Sequence, residues 1–178
     1  MPSATPGLEP LILLALLLPA AAIDITRHRI PNLLTYPAIL GGLALALAGG
    51  GAAALGNHLL GLLLAAFPLY LMFLGGSLGG GDVKLMAAVG AITGFPVAVN
   101  ALIASILVGG LCAALILIWQ GRLLGLARYS WATVWHRVGL AQEPPEPLPR
   151  HKDAFPFAVA IAIGSCLVAL PPDLLTRA

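Results

Sequence analysis

Charge is what this chain has least of. Of its 178 residues only 9% are Asp, Glu, Lys or Arg, while 60% are hydrophobic and the mean hydropathy is +0.99. Soluble domains carry about 25% charged residues, so an integral membrane protein is expected instead. The formal charge of +2 is spread thinly, and without a cluster of Lys and Arg no nucleic acid partner is expected. Cysteine is nearly absent. Cys112 and Cys166 stand in separate apolar runs without Cys-x-x-Cys spacing, which argues against a thiolate metal site and reads both as small buried apolar residues. A P-loop is missing too, because Lys84 follows Val83 and precedes Leu85, where that motif needs Gly-Lys-Ser/Thr. No internal repeat is visible.

What is present is apolar sequence in lengths suited to a bilayer. A hydrocarbon core of about 30 Å takes roughly 20 helical residues per crossing. Six segments read as spans, over 8–25, 33–49, 55–74, 83–94, 96–119 and 154–170, all in a single domain of residues 1–178. The first resembles a signal-peptide core, with Leu11 to Leu18 followed by Ala20-Ala21-Ala22. No Lys or Arg precedes it, so it is expected to stay as a span. From Asp82 to Trp119 the apolar run is too long for one crossing, and Gly94-Phe95-Pro96 is its only credible break. The polar stretch 120–152 places Leu123, Ala127, Trp131, Val134, Trp135 and Val138 at helical spacing. An amphipathic helix in the membrane interface is expected there, ahead of a stiff proline-rich connector. The fold class expected is therefore all-α: a polytopic bundle of about six transmembrane helices with one interfacial helix.

The basic residues orient it. If 83–94 crosses fully, Arg27, Arg29, Lys84, Arg122, Arg128, Arg137, Arg150 and Lys152 fall on one side, and only Arg177 falls on the other. That asymmetry marks the crowded side as cytoplasmic. Two crossings separate Asp24 from Asp82, so both aspartates emerge at the same face, whichever way the protein is oriented.

Those two aspartates are the residues of chemical interest. A carboxylate at a membrane helix is expensive, roughly 2.5–3.5 kcal/mol at the centre and less near the interface, so it usually has a purpose. Asp82 follows the run Gly79-Gly80-Gly81 and has a second reading as a helix cap. Asp24 closes the first span, where a helix carboxyl end disfavours negative charge, so capping its own helix does not explain it. Asp153 opens the last span and reads as an N-cap. Lys84 either snorkels to headgroups or positions the carboxylates. His28, His58, His136 and His151 have no evident nucleophile partner. Two carboxylates in a partly dry site suffice to activate water, one ionised and one protonated, without metal or cofactor. The competing class is a proton-coupled transporter or channel with the aspartates as relay groups.

Three motifs in order then carry a resemblance: Asp24 followed by Ile30-Pro31-Asn32, then Gly79-Gly80-Gly81-Asp82-Val83-Lys84-Leu85, and last Phe155-Pro156-Phe157-Ala158-Val159-Ala160. Together they resemble the type IV prepilin peptidases, membrane aspartyl proteases with a Gly-x-Gly-Asp motif. The resemblance implies removal of leader peptides from prepilins or pseudopilins, after a glycine, at the cytoplasmic face of the bacterial inner membrane. It thereby implies a part in type IV pilus or type II secretion assembly. It makes Asp24 and Asp82 the catalytic pair, with Lys84, Asn32, Gly79 and Gly81 as supporting or substrate-positioning residues. The longer members carry an amino-terminal cysteine tetrad associated with methylation, which does not appear here. The short tight-adherence (Flp-pilus) form is the nearer match, and methyltransferase activity is not expected.

Overall fold

The protein is described here by a computed structural model covering residues 9–27, 29–121, 123–138 and 157–169. Asp153, with the connector around it, lies outside those residues. Six helices follow in order: α1 (Glu9–Arg27), α2 (Asn32–Leu74), α3 (Gly80–Thr93), α4 (Val97–Trp119), α5 (Leu123–Arg137) and α6 (Phe157–Ala169). No strand occurs among the described residues, and the architecture is an all-α, membrane-type bundle. Three helices, α1, α2 and α4, are long and apolar enough to cross a membrane, and α6 is a shorter apolar helix. The contacts divide the chain into two compact units, Met1–Gly109 with Pro156–Ala178, and Gly110–Phe155.

The 43 residues of α2 are two arms rather than one rod. Gly51 has φ 65° and ψ −156° inside it, a left-handed region that glycine enters freely and other residues resist. The arms 32–50 and 52–74 correspond to the second and third expected spans. Contacts with α3 show that they run antiparallel. Lys84 near the start of α3 bonds Asn32, and Gly42 faces Ala91 and Ile92 near its end. In the second arm the order reverses, with His58 bonding Ala91 and Phe73 lying against Gly80.

The middle of the first unit is α3. Every residue from Leu85 to Ile92 is buried, and a helix apolar on all sides belongs inside a bundle. Small residues allow that burial, as in membrane helix packing generally. A methyl group at Gly90 would stand 2.6 Å from the Leu62 Cα and 2.7 Å from the Gly61 carbonyl oxygen, so the two backbones approach as closely as glycine permits. One at Gly61 would stand 2.6 Å from the Gly94 carbonyl carbon. At this end the Asn57 side chain accepts the Phe95 N–H (3.0 Å), and the His58 Nδ1–H donates to the Ala91 carbonyl (2.9 Å). These bonds hold the turn at Gly94 (φ 66°), the break expected from Gly94-Phe95-Pro96. Beyond it the first turns of α4 run back toward the other end. Ser105 faces Gly164 and Gly109 faces Phe157, so α4 and α6 pack antiparallel. The start of α3, both ends of α2, the end of α1 and the start of α6 thus share one end of the unit.

The second unit holds the end of α4, a turn at Gly121 (φ 66°) and α5. Trp131 and Trp135 lie one helical turn apart with ring centroids 5.7 Å apart, and both are exposed. A helix is expected over this stretch from their spacing, and α5 is that helix.

Candidate functional site

The shared end of the first unit carries an open cleft of about 330 Å³, lined by Asp24, Arg29, Ile30, Asn32, Gly79, Gly80, Gly81, Asp82 and Lys84. All six residues singled out from sequence, Asp24, Asp82, Lys84, Asn32, Gly79 and Gly81, are among them. Arg29 and Ile30 were not singled out as site residues. Both come from the short polar link between the first two spans.

Asp24 stands in the last turn of α1. The Thr26 hydroxyl lies 3.1 Å from the carbonyl oxygens of both Ala22 and Ile23, bonding back onto the preceding turn of its own helix. Arg27 follows in the last turn, where a cation complements the helix dipole. A carboxylate does not, and the compensation comes from elsewhere in the chain. The buried Ala158 N–H at the start of α6 donates to Asp24 Oδ2 at 3.1 Å. Asp24 thus caps a helix that begins far along the sequence, a role that sequence reading did not assign. A backbone amide has no side-chain signature, and only the position of the third motif hinted at it.

Asp82 is approached from the other direction. Gly79 is the N-cap of α3 and offers no side chain. Asp82 sits three residues inside, where an acidic side chain can reach back to the open backbone N–H groups. The capping reading therefore holds in part. Asp82 lies ahead of the apolar run of α3. Its pKa is pushed up from 3.8 to about 6, first by burial and then by the negative charge of Asp24, against the opposing Gly79 N–H. The two carboxylates feel each other across the cleft.

The glycine run shapes the floor. A methyl group at Gly81 would lie 3.1 Å from the Ile30 Cβ and 3.3 Å from the Ile30 nitrogen, and one at Gly79 would lie 3.1 Å from Asp82 Oδ2. At Gly80, the open position of the Gly-x-Gly-Asp motif, it would meet the Phe73 ring edge at 3.3 Å. Lys84 does not dangle toward solvent. Its ammonium donates to Asn32 Oδ1 at 2.8 Å and lies 5.3 Å from the centroid of the Tyr36 ring, a cation–π distance. Asn32 and Tyr36 are four residues apart and so share one helix face. Among the described residues no three His, Cys, Asp or Glu side chains cluster as metal ligands. His58 lies at the opposite end of α3, bonded to backbone.

Fold and cleft together define a helical membrane-type protein with paired carboxylates at one end of its bundle. The model of the type IV leader peptidase family matches residues 11–114. The chain belongs to that family, and is a peptidase by that membership. Comparison with curated proteins and with solved structures gives no significant match.

Proposed function

We propose that this protein is an aspartic endopeptidase. It removes the leader peptides of prepilins or pseudopilins after a glycine, at the cytoplasmic face of the bacterial inner membrane. The observation that carries the reading is the meeting of Asp24 and Asp82, from different helices, in one open cleft beside a glycine floor. Like charges at close range do not both ionise easily, so below about pH 6 the pair holds one proton and titrates as a unit. The ionised carboxylate takes a proton from a water molecule, whose oxygen bonds to the scissile carbonyl carbon. The protonated carboxyl gives its proton to the carbonyl oxygen. The diol collapses as the first carboxyl, now protonated, gives its proton to the leaving nitrogen and the carbon–nitrogen bond breaks, while the second carboxylate takes the proton of a diol hydroxyl, which restores the starting state of the pair. The Gly79–Gly81 backbone lets an extended substrate approach without side-chain obstruction. A leader followed by an apolar helix reaches such a cleft from within the bilayer plane. The chemistry stops at hydrolysis, and no methyl transfer to the new amino terminus is assigned.

Co-expression with a candidate prepilin tests this by the size shift from precursor to mature pilin. Wild type is expected to convert the precursor, whereas Asp24→Asn and Asp82→Asn each leave it uncut while still accumulating in the membrane. Full cleavage by either variant removes that aspartate from the mechanism.

A further inference from the structure

We infer that the first turn of α6 belongs to the site. Ala158 acts there as a positioning residue, its backbone N–H fixing Asp24 as the ionised member of the pair and leaving the proton to Asp82. The inference rests on the hydrolytic reading above and adds the assignment of roles. Four observations lead to it. Asp24 and Ala158 are both buried, at 7% and 0% exposure, so the 3.1 Å bond between them is shielded from competing water. The Ala158 N–H is given to the Asp24 carboxylate from across the chain, which commits that donor to the site. α6 packs against α1 within the same unit, so the donor is carried on an element that holds Asp24 in register. Asp24 also ends its own helix, where the local dipole opposes a negative charge, so the support from α6 is the main local feature that favours one.

Asp82 is placed differently. Its surroundings favour the neutral acid, because burial and the charge on Asp24 both act against ionisation. Two identical side chains in one cleft are thereby made unequal by the backbone around them. The anion fixed by α6 is the proton acceptor for water, and the acid on α3 is the donor to the carbonyl oxygen.

The test uses the full-length protein in detergent, with a fluorogenic peptide spanning the leader junction of the prepilin cut in co-expression. Ala158→Pro removes the N–H at a first-turn position where proline is tolerated. It is expected to lower kcat about 10-fold or more, with KM within about threefold, as loss of a preorganised backbone donor does. Ala158→Gly keeps the N–H and is expected to keep kcat. Val159→Pro places proline one residue later in the same turn and controls for damage to the helix. Wild-type kcat in Ala158→Pro, or an equal loss in Val159→Pro, overturns the inference. Thermal unfolding gives a second arm that needs no substrate. Asp24→Asn is expected to melt about 2–4 °C below wild type, and Asp82→Asn above it. Asp24→Asn melting as high as Asp82→Asn also overturns the assignment. This arm remains decisive if the chain cuts no prepilin.

Discussion

Replacing Asp82 with asparagine should make the protein more stable while destroying its activity. The carboxamide keeps the shape of the carboxyl group and still accepts from the Gly79 N–H, but it has no charge to desolvate. In the folded protein the Asp82 pKa is pushed from 3.8 to about 6. The folded state therefore binds a proton more tightly than the unfolded chain. By linkage, stability is greatest below about pH 4, falls as pH rises toward about 6, and stays low beyond. A shift of about two units at 1.36 kcal/mol each sets a ceiling near 3 kcal/mol at neutral pH. The cleft is open and water relaxes around the group, so about 1–3 kcal/mol is expected. For a chain of this length that is about 2–12 °C in Tm. Circular dichroism melts of wild type and Asp82→Asn in the same detergent, at pH 7.5 and at pH 4, measure it. The variant is expected to melt higher at pH 7.5 and level with wild type at pH 4. A lower melting point at pH 7.5, or a gain that persists unchanged at pH 4, would falsify the account of a desolvated carboxylate.

Three further outcomes follow from the same geometry. Gly81→Val and Gly79→Val should each reduce leader cleavage at least tenfold while accumulating normally, because one presses on the Ile30 backbone and the other on Asp82 Oδ2. Gly80→Ala should cut nearly normally, since the ring edge it meets belongs to Phe73, a side chain 41% exposed and able to turn aside. Lys84→Met and Asn32→Ala should each slow cleavage about tenfold, the value of one charge-assisted hydrogen bond, whereas a lysine that only snorkels would show no change in a peptide assay. Gly90→Ala should lower stability by about 1–3 kcal/mol through overpacking against the Leu62 and Gly61 backbone. Gly41→Ala, with open space around the added methyl, should be neutral or slightly stabilising, read from paired thermal melts.

Sequence reading located the helices well because lipid-length apolar runs and glycine breaks are local signals. Gly49-Gly50-Gly51 and Gly94-Phe95-Pro96 interrupt helical runs, and the structure turns at Gly51 and Gly94. The same-face expectation for the aspartates also came from counting alone, and both line one cleft. What stayed hidden was how the helices pack. The stretch Leu85 to Ile92 is apolar on every side, so it shows no face and gives no hint that α3 is the helix enclosed by the others. Gly42, Gly61 and Gly90 read as ordinary members of apolar spans, and only the backbone distances reveal them as contact points. The seat of Lys84 was half legible. Asn32 was singled out with its motif, whereas Tyr36, one turn further on, was not.

The two ends of α3 divide the work of the site. At the far end, glycines at 61 and 90 bring backbones together at distances no other residue allows, Gly94 turns the chain with φ 66°, and Asn57 and His58 bond the turn in place. A helix held along its length presents its first turn at a fixed height and rotation, which matters because small misplacements of a reacting group are costly. At the near end Gly79 does the opposite. It sets no side chain against the Asp82 carboxylate, on the side where a peptide must come within hydrogen-bonding reach. The cleft thus needs rigidity and openness on one helix, and the sequence supplies both with the same residue. At Gly90 the absent side chain admits a neighbouring backbone of this protein. At Gly81 it admits Ile30 of this protein in the same way, whereas at Gly79 it keeps a side chain off the Asp82 carboxylate and leaves that part of the cleft open to a backbone from outside.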